Sequence, residues 1–214
     1  MNCTAIIVAA GSSRRMGFDK LAASLGGIPV LARTVATFMD CPDIAEIILV
    51  TPQERMSLLD QSRFTKPLIR IDGGEERHLS VAAGLAVVSG KSDFIAVHDA
   101  ARPLVSQADI AATVLAAKEH GAASLARRVT ETLKRSDDSD FMIGAISREN
   151  LWFMETPQIF QADLLRSAYR HILEENILVT DETSAIEALG EKVKLIPSTS
   201  PNTKITTPAD LQTL

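Results

Sequence analysis

The chain is poor in residues that build disulfide scaffolds or metal cages. Its 214 residues hold two cysteines, Cys3 and Cys41, and four histidines. No zinc-type spacing and no dense cysteine framework is present, so both thiols are read as small buried apolar side chains. Long hydrophobic runs are missing as well. None approaches the roughly 18 residues of a membrane-spanning helix, and the N-terminus lacks the basic start and long apolar core of a secretory leader. A cytoplasmic location without a membrane partner is therefore expected. Surplus positive charge is absent too. Lys and Arg number 22 against 27 Asp and Glu, a formal net charge of −5, which argues against a general nucleic-acid partner. Internal repeats and low-complexity segments are also lacking.

What is present is an alternation of strand and helix patterns. Residues 5–10 form an unbroken apolar run, short enough for a strand buried on both faces. It ends at Gly11, and a polar loop follows with Arg14, Arg15, Gly17 and Lys20. A helix is expected over 29–40, started by Pro29, then a strand at 44–50 and a weaker helix at 53–62. A short strand at 68–71 runs into Asp72-Gly73-Gly74, and a helix covers 78–89. Residues 93–98 form another strand. Ser106 and Asp109 make a capping-box pattern for a helix at 107–120, and 122–126 closes the series as a strand. Repeated β-α-β units with short links imply a mostly parallel sheet. Residues 127–147 break the rhythm with two strand candidates, 129–134 and 141–146, around a polar turn. This hairpin buries little by itself, so it packs on its own sheet or reaches a second subunit. Helices at 162–175 and 181–189, a strand at 193–196, a short strand ending at Ile205 and a helix opening at Thr207-Pro208-Ala209-Asp210 complete a single domain, 1–214.

Three constellations carry chemistry, each at a strand-to-loop junction where open α/β sheets bind ligands. The loop after the first strand is neither a Walker A nor a Gly-x-Gly-x-x-Gly turn. It pairs an accessible backbone at Gly11 with cations that can reach phosphates, or it is a solvated basic turn. The stretch Asp72-Gly73-Gly74-Glu75-Glu76-Arg77-His78-Leu79-Ser80 either opens its backbone to a ligand or is a turn with a helix cap. In His98-Asp99-Ala100-Ala101-Arg102-Pro103, Asp99 is the first carboxylate past a buried strand. It suits Mg²⁺ shared with phosphate oxygens, with Arg102 on a second anion; the plain alternative is an Asp99–Arg102 ion pair. His98 reads as a packed strand-end residue. Taken singly, Thr132, Arg148 and Lys204 are surface residues.

Taken together, the ordered motifs Ala9-Ala10-Gly11-x-x-x-Arg15-Met16 with Lys20, Gly73-Gly74-x-x-Arg77-x-x-Ser80, Val97-His98-Asp99-Ala100-Ala101-Arg102-Pro103, Thr156-Pro157-Gln158, Thr180-Asp181-Glu182 and Lys204-Ile205-Thr206 resemble the 2-C-methyl-D-erythritol 4-phosphate cytidylyltransferases. The resemblance spans about residues 4–212. It implies an α/β, Rossmann-like nucleotidyltransferase fold with a mostly parallel twisted sheet, and a protruding β-hairpin dimerisation arm at about 127–147 in a homodimer. It implies transfer of a cytidylyl group from CTP to 2-C-methyl-D-erythritol 4-phosphate, giving 4-diphosphocytidyl-2-C-methyl-D-erythritol and pyrophosphate, a step of non-mevalonate isoprenoid synthesis. By motif, Arg15, Lys20 and Lys204 correspond to the charges on the reacting phosphates and Asp99 to the Mg²⁺ ligand. Ala9, Ala10, Gly11, Gly74, Glu75 and Ser80 correspond to the cytidine site. Arg102, Thr132, Arg148 and Lys204 correspond to groups on the acceptor phosphate, with Thr132 and Arg148 supplied by the partner. The chain departs from the pattern with Asp19-Lys20-Leu21 where relatives often have Pro-Lys-Gln, with Arg127-Arg128-Val129-Thr130-Glu131 ahead of Thr132, and with Leu79 in place of a frequent Asp. Rival acceptors are ribitol 5-phosphate and, more remotely, a molybdopterin-type cofactor. An acceptor that is already an ionised phosphate needs no general base, in keeping with the lack of a His or Ser–His pair.

Overall fold

Strand β1 (Cys3–Val8) alternates its side chains between two separate cores. Cys3, Ala5 and Ile7 point to one face of the sheet, and Ile6 to the other. The same division holds along β4 (Ile44–Val50), where Ile47 and Leu49 face one way and Ile48 and Val50 the other. A strand buried on both faces has no polar side to spare, and this produces the continuous apolar run seen in the sequence. The computed structural model describes residues 2–11 and 16–213.

Between these strands lie the short strands β2 (Ser24–Leu25) and β3 (Ile28–Pro29) and the helix α1 (Val30–Asp40). Two short 3-10 turns, Gln53–Leu58 and Gln61–Arg63, replace the expected helix at 53–62. Then come β5 (Leu68–Ile71), α2 (Arg77–Val87), β6 (Phe94–Asp99), α3 (Gln107–His120) and β7 (Ala122–Arg128). The later elements are β8 (Leu133–Ser136), β9 (Met142–Ile146), β10 (Trp152–Gln161), α4 (Ala162–Glu174), α5 (Glu182–Ala188), β11 (Lys194–Pro197) and α6 (Pro208–Thr213). The main sheet has seven strands in the order β11-β7-β10-β6-β1-β4-β5. All neighbours are parallel except those of β10, which runs antiparallel to both β6 and β7. Helices α1 and α3 pack on one face, and α2, α4 and α5 on the other. The mostly parallel α/β sheet is as expected.

Three expectations need correction. Strand β10 was not anticipated. Its Pro157 cannot donate to a ladder, which ordinarily argues against a central strand, but the pairing with β7 shifts register between Met154 and Gln158, and Pro157 lies inside that irregularity. Ile205 ends no strand; it is fully buried, and its N–H donates to Ala101 O at 2.8 Å. The capping box of α3 is only half formed. Ser106 Oγ accepts from the Asp109 N–H at 3.0 Å, but the Asp109 carboxylate does not reach back. It accepts instead from Thr199 N (3.0 Å), Thr199 Oγ1 (2.7 Å) and Ser200 Oγ (2.9 Å), which ties the segment ahead of Lys204 to α3.

The hairpin expected from the polar turn forms as a separate two-stranded sheet, but its first strand is Leu133–Ser136, displaced from the expected 129–134 because β7 pairs with β10 as far as Arg128. Its base continues the β7–β10 pairing, where Arg127 lies over the Phe153 ring and Arg128 over the Trp152 ring. Phe141, Met142 and Ile143 are exposed along it. Both cysteines are buried and unpaired, and burial pushes the Cys3 thiol up to about 12, so they act as small apolar residues.

Candidate active site

The parallel strands deliver their loops to one edge by register alone. Val8 of β1 stands beside Val50 of β4 and Asp99 of β6. The next residue, Ala9, donates to Val50 O at 2.8 Å, and Ala100 donates to Val8 O at 3.0 Å. Ala10, Gly11 and Asp99 therefore meet at the C-terminal ends of the strands, where such sheets bind ligands. A cavity of about 370 Å³ opens there. Ala9, Ala10, Gly11, Gly74, Glu75 and Ser80, the residues that the resemblance assigns to the cytidine site, line it together with Lys20, Asp99 and Lys204. Arg15 lies outside the described residues.

The Gly73-Gly74 turn explains its composition sterically. A Cβ on Gly73 would stand 2.3 Å from Ala10 Cβ, and one on Gly74 would stand 2.5 Å from Leu79 Cβ. Glycine lets this turn close against the first loop, and the cavity lies between the two. Ser80 Oγ accepts from Gly74 N at 3.1 Å and donates to Glu76 O at 3.1 Å, so it fastens the turn to the start of α2.

Asp99 is buried at the floor. Its Oδ1 accepts from Arg77 Nε at 2.9 Å and its Oδ2 from Lys204 Nζ at 2.6 Å. Burial would raise the carboxyl pKa, but Arg77 and Lys204 outweigh it and hold Asp99 well below the usual carboxylate range. Arg77 in turn forks onto Glu182, at 2.7 Å and 3.0 Å, and Tyr169 Oη donates to the same carboxylate at 2.9 Å. Glu182 is completely buried. Its place at the start of α5 is set by Gln158, whose Oε1 accepts from the N–H groups of Glu182 (3.0 Å) and Thr183 (3.1 Å). The plain Asp99–Arg102 side-chain pair does not form. Arg102 Nη1 and Nη2 donate instead to Asn202 O (2.7 Å) and Met154 O (3.2 Å), and its buried Nε has no partner.

Lys20 and Lys204 are 184 positions apart in the chain, yet Lys20 Nζ donates to the carbonyl of Ile205 at 2.7 Å, next to Lys204. Two further cavities adjoin the first, of about 460 Å³ and 610 Å³, and Lys204 lines all three. Arg102 lines both of the additional ones. A family model described as 2-C-methyl-D-erythritol 4-phosphate cytidylyltransferase matches residues 3–213. The chain belongs to that family. The cytidylyltransferase of Caldanaerobacter subterraneus subsp. tengcongensis is 39% identical over 218 residues, covering 99% of this chain and 96% of that protein. Among solved structures, the 4-diphosphocytidyl-2C-methyl-D-erythritol synthase of Anaerococcus prevotii superposes with a TM-score of 0.87 at 29% identity, covering 99% of this chain and 93% of that one. The Francisella tularensis 2-C-methyl-D-erythritol 4-phosphate cytidylyltransferase gives 0.86 at 30% identity, covering 100% and 98%.

In this chain, Thr132 and Arg148 are the described predicted site residues that stand apart. Both are exposed on the hairpin segment and line none of the three cavities; Arg148 Nη1 donates to Thr130 O. Sequence reasoning assigned no role to Arg77, Glu182, Tyr169 or Gln158. Arg77, Gln158 and Glu182 lie in quoted motifs, which is the one signal that could have marked them; Tyr169 lies outside every quoted motif. Among the described residues no group of three or more His, Cys, Asp or Glu could hold a metal ion, so an all-protein cage is not built here. A single ionised carboxylate is, and with about four acceptor positions it keeps room beyond Arg77 and Lys204. That donor set fits Mg²⁺ shared with phosphate oxygens.

His98 is fully buried against Phe38, with ring centroids 4.7 Å apart. Nε2 faces Arg102 O at 3.2 Å and therefore carries the proton, while Nδ1 accepts from Thr156 Oγ1 at 3.0 Å. Thr156 Oγ1 itself accepts the Asp99 N–H at 3.1 Å. Burial pushes the imidazole down to about 3 from 6.5. Between those values the unfolded chain takes up a proton that the folded chain refuses. This contribution to stability is fully present above pH 6.5 and declines as pH falls toward 3, by up to about 1.4 kcal/mol per pH unit for one proton. Urea unfolding should accordingly show stability dropping between pH 7 and 5, with a flatter profile for His98→Gln; a flat wild-type profile would contradict the assignment.

Proposed function

We propose that the chain transfers the cytidylyl group of CTP to the phosphate of 2-C-methyl-D-erythritol 4-phosphate, releasing pyrophosphate. The observation that carries this reading is the convergence of Lys20 and Lys204, from opposite ends of the chain, with Asp99 from its middle on one sheet edge. An acceptor phosphate oxygen attacks the α-phosphorus, and the bond from that phosphorus to the bridging oxygen breaks with its electron pair on pyrophosphate. The nucleophile is already ionised, so no side chain has to remove a proton. The two nitrogens of His98 are both engaged within the protein, which accords with such chemistry. Catalysis then rests on positioning and on charge stabilisation.

Ala9, Ala10, Gly11, Gly74, Glu75 and Ser80 enclose the nucleotide in the 370 Å³ cavity. Arg15, Lys20 and Lys204 neutralise the reacting phosphates. Arg102 and Lys204 hold the acceptor phosphate in the adjoining cavities. Mg²⁺, held by Asp99, supplies neutralising charge on the phosphate oxygens when bound. A cytoplasmic location belongs to the same reading. No helix of the described residues is long and apolar enough to cross a membrane. Incubation with Mg²⁺ and CTP should release pyrophosphate with methylerythritol phosphate and at most weakly with ribitol 5-phosphate; preference for ribitol 5-phosphate would reassign the acceptor. Lys20→Ala should lower kcat by about 10²–10³, the scale for one preorganised charge-stabilising group, and near-wild-type kcat at saturating substrates would remove Lys20 from the mechanism.

The hairpin serves a homodimer in this reading. Thr132 and Arg148 are exposed and line none of the three cavities, and the exposed Phe141, Met142 and Ile143 offer apolar surface for a second copy to cover. Arg148 then acts on the partner's acceptor phosphate. Mixing inactive Lys20→Ala with inactive Arg148→Ala should restore activity, because one site of each mixed dimer combines two intact contributions. Absence of recovery would place Arg148 within its own subunit.

A further inference from the structure

Arg55 stands on the 3-10 turn Gln53–Leu58, just beyond β4, in a stretch the sequence marks only as a weak helix. Its side chain is 11% exposed, although a surface turn would be expected to leave an arginine in water. The guanidinium is spent on two pieces of the first loop. On one side of residues 12–15, Nη1 donates to Ala9 O and Nη2 donates to Gly11 O at 3.0 Å. On the other side, Nε and Nη2 fork onto the Asp19 carboxylate at 2.8 Å and 3.0 Å. The same Asp19 accepts the Leu21 N–H at 3.1 Å, so the carboxylate spans Lys20.

We propose that Arg55, with Asp19 as its counter-ion, is the positioning residue that holds both limbs of the nucleotide loop and thereby sets where Lys20 stands. The inference rests on the cytidylyl-transfer reading. Arg55 is not among the side chains lining the three cavities, so it acts through the residues it holds and not on substrate. Its planar fork can serve several acceptors in fixed directions at once, which a lysine ammonium cannot reproduce. Holding the Ala9 carbonyl fixes the orientation of that peptide plane and turns the Ala10 N–H to the opposite side. Holding Asp19 fixes the residue immediately before Lys20, whose ammonium already spans to Ile205 O at 2.7 Å. One guanidinium thus sets the Ala9–Gly11 wall of the nucleotide cavity and the root of its Lys20 side chain together.

The test compares Arg55→Ala, Arg55→Lys and Asp19→Asn in the full chain. With Mg²⁺ and CTP, Arg55→Ala should lower kcat about 10- to 100-fold and raise KM for CTP, while KM for the acceptor changes less than about twofold, on the scale of a displaced positioning group. Arg55→Lys should stay impaired. Millimolar methylguanidinium should restore Arg55→Ala at least severalfold and leave Lys20→Ala unchanged. Hydrogen exchange of the peptide spanning 8–21 should quicken in Arg55→Ala, with α4 unaffected. Wild-type kinetics together with wild-type exchange in 8–21 would overturn the proposal. Should Arg55→Ala fail to fold, Asp19→Asn decides: a lowered kcat supports the clamp, and unchanged kinetics refute it. A wild-type chain that turns over no acceptor would sink the reaction assignment, while exchange in 8–21 would still judge the clamp.

Discussion

The site depends on a carboxylate kept ionised out of water. Asp99 lies buried at the end of β6, and an isolated charge there would cost several kcal/mol. Arg77 and Lys204 remove that cost, one on each oxygen. Arg77 can do this only because Glu182, itself buried and reached by Tyr169, holds the rest of its guanidinium. Two anions and two cations therefore form one balanced unit. Burial would lower the Arg77 pKa, but Glu182 and Asp99 outweigh it and drive it upward. Removing any one member leaves a buried charge without its counterpart, so the unit stands or falls together.

That unit links parts of the chain that have no local reason to meet. Arg77 starts α2, Glu182 starts α5, Asp99 ends β6 and Lys204 lies just before the last helix. The helix starts and strand ends set their positions, and the ion pairs set their orientations. Asp109 adds a tether on the far side by holding Thr199 and Ser200 to α3. Asn202 adds another, because its Nδ2 donates to Glu155 Oε2 (3.1 Å) and Thr156 O (2.8 Å) on β10. The antiparallel strand thus brings the C-terminal segment, and Lys204 with it, onto the edge that β1 and β6 define.

The regular frame was legible where periodicity and caps agree. The strands at 44–50 and 68–71 and the helix at 107–120 have the bounds their apolar runs and flanking residues indicate. Strand β10 was not legible, because Pro157 carries a signal that normally excludes a central strand and only the irregular register admits it. The site divides in the same way. Asp99 and the Gly73-Gly74 turn could be picked out from strand-end position and residue type. Lys204 could not, since a lone lysine beyond a strand looks like any solvated residue, and the motif resemblance alone singled it out. Arg77–Glu182 and Arg55–Asp19 escaped notice for a further reason. Their partners lie 105 and 36 positions away, and no local spacing rule pairs charges across such distances.

Whether Asp99 stays ionised out of water is read from its carboxyl carbon by NMR, with the signal assigned through Asp99→Asn. This carbon should stay in its ionised position as pH is lowered from 7 past the ordinary aspartate value of 3.8, for as long as the chain remains folded, and Arg77→Ala should move its titration upward. A carboxyl that takes up its proton at or above 3.8 in the folded wild-type chain would contradict this.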